Sequence, residues 1–278
     1  MSWLAPLALL CFAANSILAR FALRTGQIDA ASFTAIRLAA GALALVLLLG
    51  ARRRPPSPPS GRWTGALLLF LYAAPFSFAY LSLPAGTGAL ILFGAVQLTM
   101  IGSGLRAGER PHAREWLGLS AALAGLLYLN LPGVSAPAPL GAALMAVAGV
   151  AWGLYSLRGR SAVAPLAQTA ESFLLATPLG MVLAGIALPH AHLSVPGVLA
   201  AIGSGAVASG GGYAAWYAVL PRLSATRAGT IQLAVPVLAA LAGVGLLGEQ
   251  LTPRLALSAA GILGGIGLAI SARRAPRP

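Results

Sequence analysis

The sequence predicts an all-α integral membrane protein with ten transmembrane helices, arranged as two inverted repeats of five helices. Three observations lead to this fold class. First, the 278 residues are 58% hydrophobic and only 8% charged, whereas a soluble domain has about 25% charged residues. Second, ten segments are apolar enough to cross a bilayer. Third, the two halves of the chain resemble each other in sequence.

The ten apolar segments follow one another with short polar connections. A transmembrane helix needs about 20 mostly apolar residues. The first segment has no basic start and no clear cleavage site, so we interpret it as a membrane span and not as a signal peptide. In chain order, the predicted spans are Trp3–Leu23, Ser32–Leu49, Trp63–Leu81, Thr87–Leu105, Trp116–Leu131, Leu140–Leu157, Gln168–Leu188, Pro196–Leu220, Arg227–Leu247 and Leu255–Ser271.

The basic residues predict the orientation. The chain has 18 arginines, no lysine and 5 acidic residues. If the N-terminus is cytoplasmic, 14 arginines lie in cytoplasmic loops and tails, and only Arg24 and Arg254 lie on the opposite side. Cytoplasmic loops carry an excess of basic residues, so both termini are predicted to be cytoplasmic, in a bacterial-type inner membrane. The positive charge is therefore not evidence for a nucleic-acid partner. The Pro-rich basic loop 51–62 is interpreted as an anchor, with anionic-lipid binding as the alternative.

An internal repeat relates residues 1–135 to residues 136–278. Aligned without gaps, the stretch that starts at Leu92 matches the stretch that starts at Gln232, so that Gly108-Glu109 falls on Gly248-Glu249. Each half holds five spans, and because five is odd, the second half enters the membrane from the opposite side. Inverted repeats place a substrate site at their interface near the bilayer midplane. The two repeats are therefore expected to form one transport domain.

The combination of these features resembles the EamA family of the drug/metabolite transporter superfamily. It consists of the five-plus-five spans, Arg37 in the second span, the spacing Pro84-x₂₃-Gly108-Glu109 and a glycine-rich last span. Within that superfamily the chain is most similar to the YddG-type exporters of aromatic amino acids. The resemblance implies a permease whose central cavity is lined mainly by the third, fourth, eighth and ninth spans.

That resemblance implies a secondary transporter that exports small metabolites, amino acids including aromatic ones, by alternating access. A multidrug or cationic-compound exporter of the same fold is the alternative. A membrane-embedded lipid-modifying enzyme is a further one, but the sequence offers no catalytic constellation for it. No cofactor, metal cluster or nucleotide-binding motif is recognised, so no ATPase subunit is expected within this chain. The expected partners are a small-molecule substrate and the lipid bilayer.

Polar and aromatic residues inside the spans are the candidate substrate contacts. Unpaired amides in hydrocarbon cost several kcal/mol, so Asn15 and Gln97 must face a partner or a hydrated cavity. Asn15 either links helices or lines the cavity, and the resemblance places Gln97 in the cavity. Aromatic rings suit the walls, although packing or an interfacial belt also explains several of them, above all Trp216 and Tyr217. The predicted substrate-binding residues are Asn15, Tyr80, Gln97, Trp152, Tyr155, Tyr213 and Tyr217.

A second set of residues is predicted to serve gating or structure. Small residues permit close helix packing, and proline kinks a helix. Arg37 lies about 8 Å below the outer surface by helical rise. Its side chain is expected to reach outward to carbonyl groups or Asp29, the alternative being that it steers a substrate carboxylate. Gly261 and Gly265 predict a close-packed face, inside the molecule or between protomers. The gating or structural residues are Arg37, Gly210, Gly211, Gly212 and Pro236.

Glu171 is the only carboxylate that the sequence places inside a span. We expect it near the cytoplasmic surface, paired with Arg158 or Arg160. A direct ion pair with Arg37 is not expected, because the two residues start from opposite membrane surfaces. The sequence therefore favours transport without obligatory proton coupling.

Overall fold

The computed structural model describes residues 3–50, 61–106, 113–131, 136–160, 162–219, 232 and 234–272. These residues form helices joined by short connections. Gly108, Glu109, most of loop 51–62 and Pro221 lie outside the described residues. The helices are α1 Leu4–Arg24, α2 Ala30–Leu49, α3 Arg62–Ala79, α4 Ala85–Arg106, α5 Ala113–Asn130, α6 Pro139–Arg160, α7 Pro165–Ile186, α8 Val195–Val219, α9 Ala234–Leu247 and α10 Pro253–Ala272.

Six of these helices are long and apolar enough to cross a membrane, namely α1, α2, α4, α6, α7 and α8. Two shorter apolar helices lie within α9 and α10. The protein is therefore a multi-pass helical membrane protein. Each of the ten predicted spans overlaps one helix of the described chain, while the number of membrane crossings stays a prediction.

Local sequence explains where two of the helices begin. Asp29 has an extended backbone, and its carboxylate accepts a hydrogen bond from the backbone N–H of Ser32 at 2.8 Å, which caps α2. The hydroxyl of Ser194 accepts one from the N–H of Gly197 at 3.2 Å and caps α8 in the same way. Such caps satisfy N–H groups that have no partner within the helix.

These two capping turns are also joined to each other. The N–H of His192 donates to the Asp29 carboxylate at 3.1 Å, and the hydroxyl of Ser194 donates to the Gln27 side chain at 2.6 Å. Ile28 and Leu193 form an antiparallel bridge between the same turns. The α1–α2 and α7–α8 turns therefore meet at one end of the bundle, which we call the clasped end.

An arginine network lies at the same end, where α1 finishes. The Arg20 guanidinium pairs with Glu249 at 3.1 Å and donates to the carbonyl oxygens of Tyr80 and Leu81 at 3.0 and 3.2 Å. The second carboxylate oxygen of Glu249 accepts from the N–H of Ala85 at 2.8 Å. This network, which we call the Arg20 network, joins α1 to the α3–α4 and α9–α10 turns.

The helices pack in a regular pattern. α2 lies against α7, α4 against α9, and α5 against α10. α3 packs on α6 and α7, whereas α8 packs on α1 and α2. Glycines let α5 and α10 approach closely, because a Cβ on Gly125 would lie 2.9 Å from Cγ1 of Ile262 and one on Gly265 would lie 2.6 Å from the Ala122 nitrogen. The predicted close-packed face of the last helix thus lies inside the molecule.

The glycine-rich middle of α8 is a π-helix, Gly203–Gly211, between two α-helical parts, Val195–Ile202 and Gly212–Val219. A π-helix closes its hydrogen bonds over five residues and occurs frequently at functional sites. Ser204 and Ser209, five residues apart, both donate to the side-chain oxygen of Asn15, at 2.8 and 3.4 Å. The π-helical segment is thereby tied to α1 in the middle of the bundle.

Candidate functional site

A buried cavity lies at the centre of the bundle between α1, α3, α4, α6 and α8. The space open to the centre of a water molecule is about 10 Å³, which is about the room that one water molecule needs. The cavity is thus closed to any larger molecule in this conformation. It is lined by Phe12, Asn15, Ser16, Tyr72, Phe76, Leu92, Phe93, Trp152 and Tyr213.

Aromatic rings form most of the cavity wall, with Trp152 in contact with three of them. Its ring lies 5.1 Å from that of Tyr213 and 5.6 Å from that of Tyr155, both stacked at 23°. The Tyr72 ring is 5.0 Å away and tilted. Stacked and tilted rings at these distances attract one another beyond the effect of burial. A flat apolar group of a ligand would find the same type of surface here.

A second group of rings extends this wall toward α1 and along α3. Phe12 contacts Tyr213 at 5.9 Å and Trp216 at 6.0 Å. Phe76 contacts Tyr72 at 5.4 Å and, edge to face, Tyr80 at 4.8 Å. The prediction of an interfacial belt for Trp216 is wrong, because its side chain is buried inside the bundle.

Arg37 lies behind this wall and not at the surface. Its side chain is 1% exposed. One terminal nitrogen, Nη2, donates to the hydroxyl of Tyr72 at 2.8 Å, and the guanidinium carbon lies 5.0 Å from the Tyr72 ring centre and 4.6 Å from that of Phe76. The expectation that Arg37 reaches outward to carbonyls or Asp29 is therefore wrong. The Asp29 carboxylate instead accepts hydrogen bonds from Ser32 and His192, which leaves the arginine to the aromatic interior.

Glu171 forms its ion pair with Arg62 at the start of α3. The sequence predicted Arg158 or Arg160 as its partner, and the side chain of Arg160 lies outside the described residues. The side chain of Glu171 is 20% exposed and that of Arg62 is 50% exposed. The pair therefore lies at the surface end of α3 and α7, as expected for an interfacial glutamate. A polar depression surrounds it, lined by Gly61, Arg62, Gly65, Arg158, Gln168, Glu171 and Ser172.

Comparison with known proteins gives this architecture a family. The model of the EamA-like transporter family matches two stretches of the chain, residues 1–131 and 139–271. The chain belongs to this family. The family resemblance predicted from the sequence is thereby confirmed.

Several relatives of this EamA-family protein are named as transporters. The threonine/homoserine exporter RhtA of Escherichia coli K12 is 31% identical over 242 residues, which cover 81% of this chain and 77% of that one. The inner membrane transporter YedA of the same organism is 28% identical over 77% of this chain and 72% of its own. A functionally uncharacterised protein of Pseudomonas aeruginosa is 52% identical over 97% of this chain and 94% of its own.

A solved crystal structure shares the fold of this EamA-family protein. Its TM-score is 0.67 at 23% sequence identity, and the superposition covers 95% of this chain and 98% of the other. At this identity the likeness concerns the fold alone.

Five of the seven predicted binding residues of this EamA-family protein line the cavity or lie next to it. Asn15, Trp152 and Tyr213 line the cavity. Tyr155 and Tyr217 lie one ring beyond it, stacked on Trp152 and 6.5 Å from the Tyr213 ring respectively.

The other two predicted binding residues are buried outside the lining. Tyr80 is packed behind Phe76. Gln97 is buried on α4, four residues after Phe93, which does line the cavity. Their roles as substrate contacts stay predictions.

The predicted gating residues lie along the helices next to the cavity. Gly210 and Gly211 end the π-helical segment, and Gly212 begins the α-helical part that follows it. A Cβ on Gly212 would lie 2.9 Å from that of Cys11, so α8 and α1 are in close contact there. Pro236 is buried in the first turn of α9.

Sequence reasoning did not assign several cavity residues of this EamA-family protein to the site. A signal was present, because Tyr72 and Phe76 lie four residues apart on one face of α3, and Tyr80 continues the same spacing directly after the helix. The same spacing relates Phe12 to Ser16 on α1. Residues four apart on a helix share a face, so each run predicts a stripe, although it does not tell whether the stripe faces a cavity or a packed core. The residues concerned are Phe12, Ser16, Tyr72, Phe76, Leu92 and Phe93.

Proposed function

We propose that this protein is a secondary transporter that exports small metabolites, above all amino acids including aromatic ones, by alternating access at the central cavity. Membership of the EamA-like family and the naming of RhtA as a threonine/homoserine exporter support amino-acid export as the activity class. The preference for aromatic substrates is inferred from the cavity wall.

The observation that carries this proposal is the stacking of Trp152 on Tyr155 and Tyr213 next to Asn15 and Ser16. Ligand sites combine mostly apolar walls with a few polar groups that fix orientation. A zwitterion with an aromatic side chain has the matching shape, a flat ring beside a compact polar end. Because the cavity is closed to anything larger than water, substrate must enter through a conformational change.

The helix packing supports an inverted repeat with boundaries near residues 1–135 and 136–278. A twofold relation between the halves would exchange α1–α5 with α6–α10 in order. The contacts of α3 with α6 and α7 would then correspond to contacts of α8 with α1 and α2, and these contacts are present. The contacts within the pairs α2–α7, α4–α9 and α5–α10 are also consistent with it, because the same exchange converts each of these pairs into itself. A twofold relation between the halves produces this pattern, and rocking of such halves around a central site gives alternating access.

In this proposal the clasped end faces outward from the inner membrane and both termini face the cytoplasm. The arginine distribution of the sequence supports that orientation. Glu171 lies at the opposite end, paired with Arg62. Since its position is interfacial, the proposal includes no obligatory proton coupling through this carboxylate.

The test is substrate transport into proteoliposomes that contain the purified protein. Labelled phenylalanine, threonine and alanine are compared for the wild type and for Trp152→Ala. Loss of a large ring removes contact area in proportion to the size of the substrate, so phenylalanine transport should fall several-fold and alanine transport much less. The matched control is Trp63→Ala, which truncates a half-exposed tryptophan at the surface end of α3 and should leave both rates unchanged.

Two results would contradict the proposal. Failure of the wild type to transport any of the three amino acids would exclude the amino-acid class and favour the export of cationic drugs by the same fold. Equal losses for phenylalanine and alanine in Trp152→Ala, with normal protein content in the membrane, would assign the tryptophan to packing and not to the substrate site.

A further inference from the structure

Arg37 is a buried positive charge without a carboxylate. Three carboxylates of the described residues have other partners: Asp29 caps α2, Glu171 pairs with Arg62, and Glu249 pairs with Arg20. Its Nη1 nitrogen has no hydrogen-bond acceptor in the part of the chain that the structure describes. Arg37 follows Ala30 by seven residues, which places it about 10 Å along α2 from the start of that helix.

Such an arrangement is costly in a membrane protein. Moving an ion out of water costs several kcal/mol unless a partner compensates it, and a charged residue inside the membrane marks a functional site by default. The hydroxyl of Tyr72 and the faces of two rings satisfy the guanidinium only in part. The remaining N–H donors form a planar fork whose preferred partner is a carboxylate, bound through two parallel hydrogen bonds.

The surroundings connect this charge with the cavity. The two rings that the guanidinium contacts, Tyr72 and Phe76, are both cavity-lining residues, whereas Arg37 itself is not among them. The guanidinium therefore lies one side chain away from the cavity, behind these two rings. The backbone of Arg37 is held firmly, because the π-helical segment packs against it at Gly205. The charge is thus fixed in place and separated from the cavity by two side chains.

We infer that Arg37 is the carboxylate subsite of the transporter, and that Tyr72 and Phe76 cover it when no substrate is bound. This inference rests on the proposed function, which it deepens by giving the substrate an anionic end. In the bound state the carboxylate accepts from Nη1 and Nη2, and the Tyr72 hydroxyl gives up its bond to Nη2. A ring on the same ligand lies against Trp152 and Tyr213.

The experiment measures binding of two nearly isosteric probes, phenylacetate and phenylacetamide, to the protein in lipid nanodiscs. We expect the wild type to bind the carboxylate about tenfold more tightly than the amide, which corresponds to about 1.4 kcal/mol. Arg37→Met should abolish this preference and leave the affinity for the amide unchanged. Arg24→Met is the matched control, because Arg24 lies at an exposed position, where it donates to the carbonyl of Leu247, and it should keep the preference.

A structural role for Arg37 would give a different result. It would lower the unfolding temperature of Arg37→Met and weaken both probes equally. Because the charge is unpaired, we instead expect Arg37→Met to unfold at the same temperature as the wild type or a higher one. Arg37→Gln is a second neutral variant for the case that the methionine variant does not fold. A tenfold carboxylate preference that persists in a folded neutral variant, or its absence in the wild type, would overturn the inference.

Phenylalanine transport in proteoliposomes separates this inference from the proposed function. Wild-type protein that binds phenylacetate through Arg37 but transports no amino acid would retain the subsite and exclude amino-acid export. Wild-type protein that transports phenylalanine, with equal rates in Arg37→Met and an unchanged probe preference, would retain the function and exclude the subsite.

Discussion

At the residue scale, the carboxylate of Asp29 makes two stabilising contacts, because it caps α2 and also binds the α7–α8 turn. One oxygen accepts from the N–H of Ser32 and the other from the N–H of His192. Partial burial raises the pKa of this carboxyl. The hydrogen bonds from Ser32 and His192 lower the pKa by more than burial raises it, so that it lies below its ordinary value of 3.8. The stabilisation is therefore present at neutral pH and is lost as the pH falls through the folded-state value.

We expect Asp29→Asn to lower the free energy of unfolding by about 1 kcal/mol at pH 7, because asparagine still caps the helix but lacks the charge that strengthens the hydrogen bonds from Ser32 and His192. The difference from the wild type should shrink as the pH falls below 3.8, since protonation removes the same charge from the wild type. Thermal unfolding in detergent between pH 3 and pH 7 measures it. Thr25→Ala is the control, because its hydroxyl donates to the carbonyl of Phe21 in the preceding turn of α1 and does not titrate. A pH-independent difference for Asp29→Asn would show that the charge has no role.

Arg37 shows where sequence reasoning ends at this scale. Its distance along α2 could be read from the sequence, because helical rise is constant. The direction of its side chain could not, since long basic side chains commonly reach the membrane surface and only tertiary packing decides otherwise. For Asn15, the sequence predicted that the side chain needs a partner or a hydrated cavity. An amide in an apolar helix must find partners, and the structure supplies Ser204 and Ser209, although the sequence did not identify them.

At the element scale, the π-helical segment Gly203–Gly211 decides how closely α8 approaches α2. A Cβ on Gly205 would lie 3.0 Å from that of Ala40 and 2.9 Å from the carbonyl carbon of Arg37. The sequence predicted close helix packing from the small residues of this segment, and the position of each apolar helix followed from hydropathy. The change of helix type was not predictable, because a run of small residues is equally compatible with a regular α-helix.

Gly205→Ala is expected to destabilise the folded protein by about 1–3 kcal/mol, since the added methyl group has no free space and forces α2 and α8 apart. Gly211→Ala is the matched control in the same segment, where the nearest atom would be an ordinary 3.9 Å away. It should be neutral or stabilising by up to about 1 kcal/mol, because alanine loses less backbone entropy than glycine. Thermal unfolding in detergent compares the two variants. Similar stability for both would show that the interface adapts to the added volume.

At the scale of the whole molecule, two sets of bonds hold the clasped end together. The turns that contain Asp29 and His192 join α2 to α8, and the Arg20 network joins α1 to the turns that follow α3 and α9. The sequence predicted the helix order, the repeat and an outward orientation of this end from the arginine distribution. It did not predict the Arg20–Glu249 pair, because 229 residues separate the partners and no local pattern relates them.

The Arg20 network is expected to keep the cavity inaccessible from the clasped end. Removing one partner of a buried ion pair leaves the other uncompensated, so Glu249→Gln should weaken the contact of α1 with the α3–α4 and α9–α10 turns. A reporter cysteine at Ser16, which lines the cavity, is placed in a Cys11→Ala background. Membrane-impermeant maleimide added to intact cells should label this cysteine several-fold faster in Glu249→Gln than in the wild type.

The control for this experiment is Arg24→Gln, which removes a charge at the same end together with an exposed hydrogen bond to Leu247, and which should not change the labelling rate. Inside-out vesicles provide the second comparison, because the reagent then reaches the opposite end of the bundle. An increase confined to inside-out vesicles would place the clasped end in the cytoplasm and reverse the proposed orientation. Equal labelling of wild type and Glu249→Gln from both sides would show that the ion pair stabilises the fold without controlling access, since a bond that gates the cavity must change its exposure when it is broken.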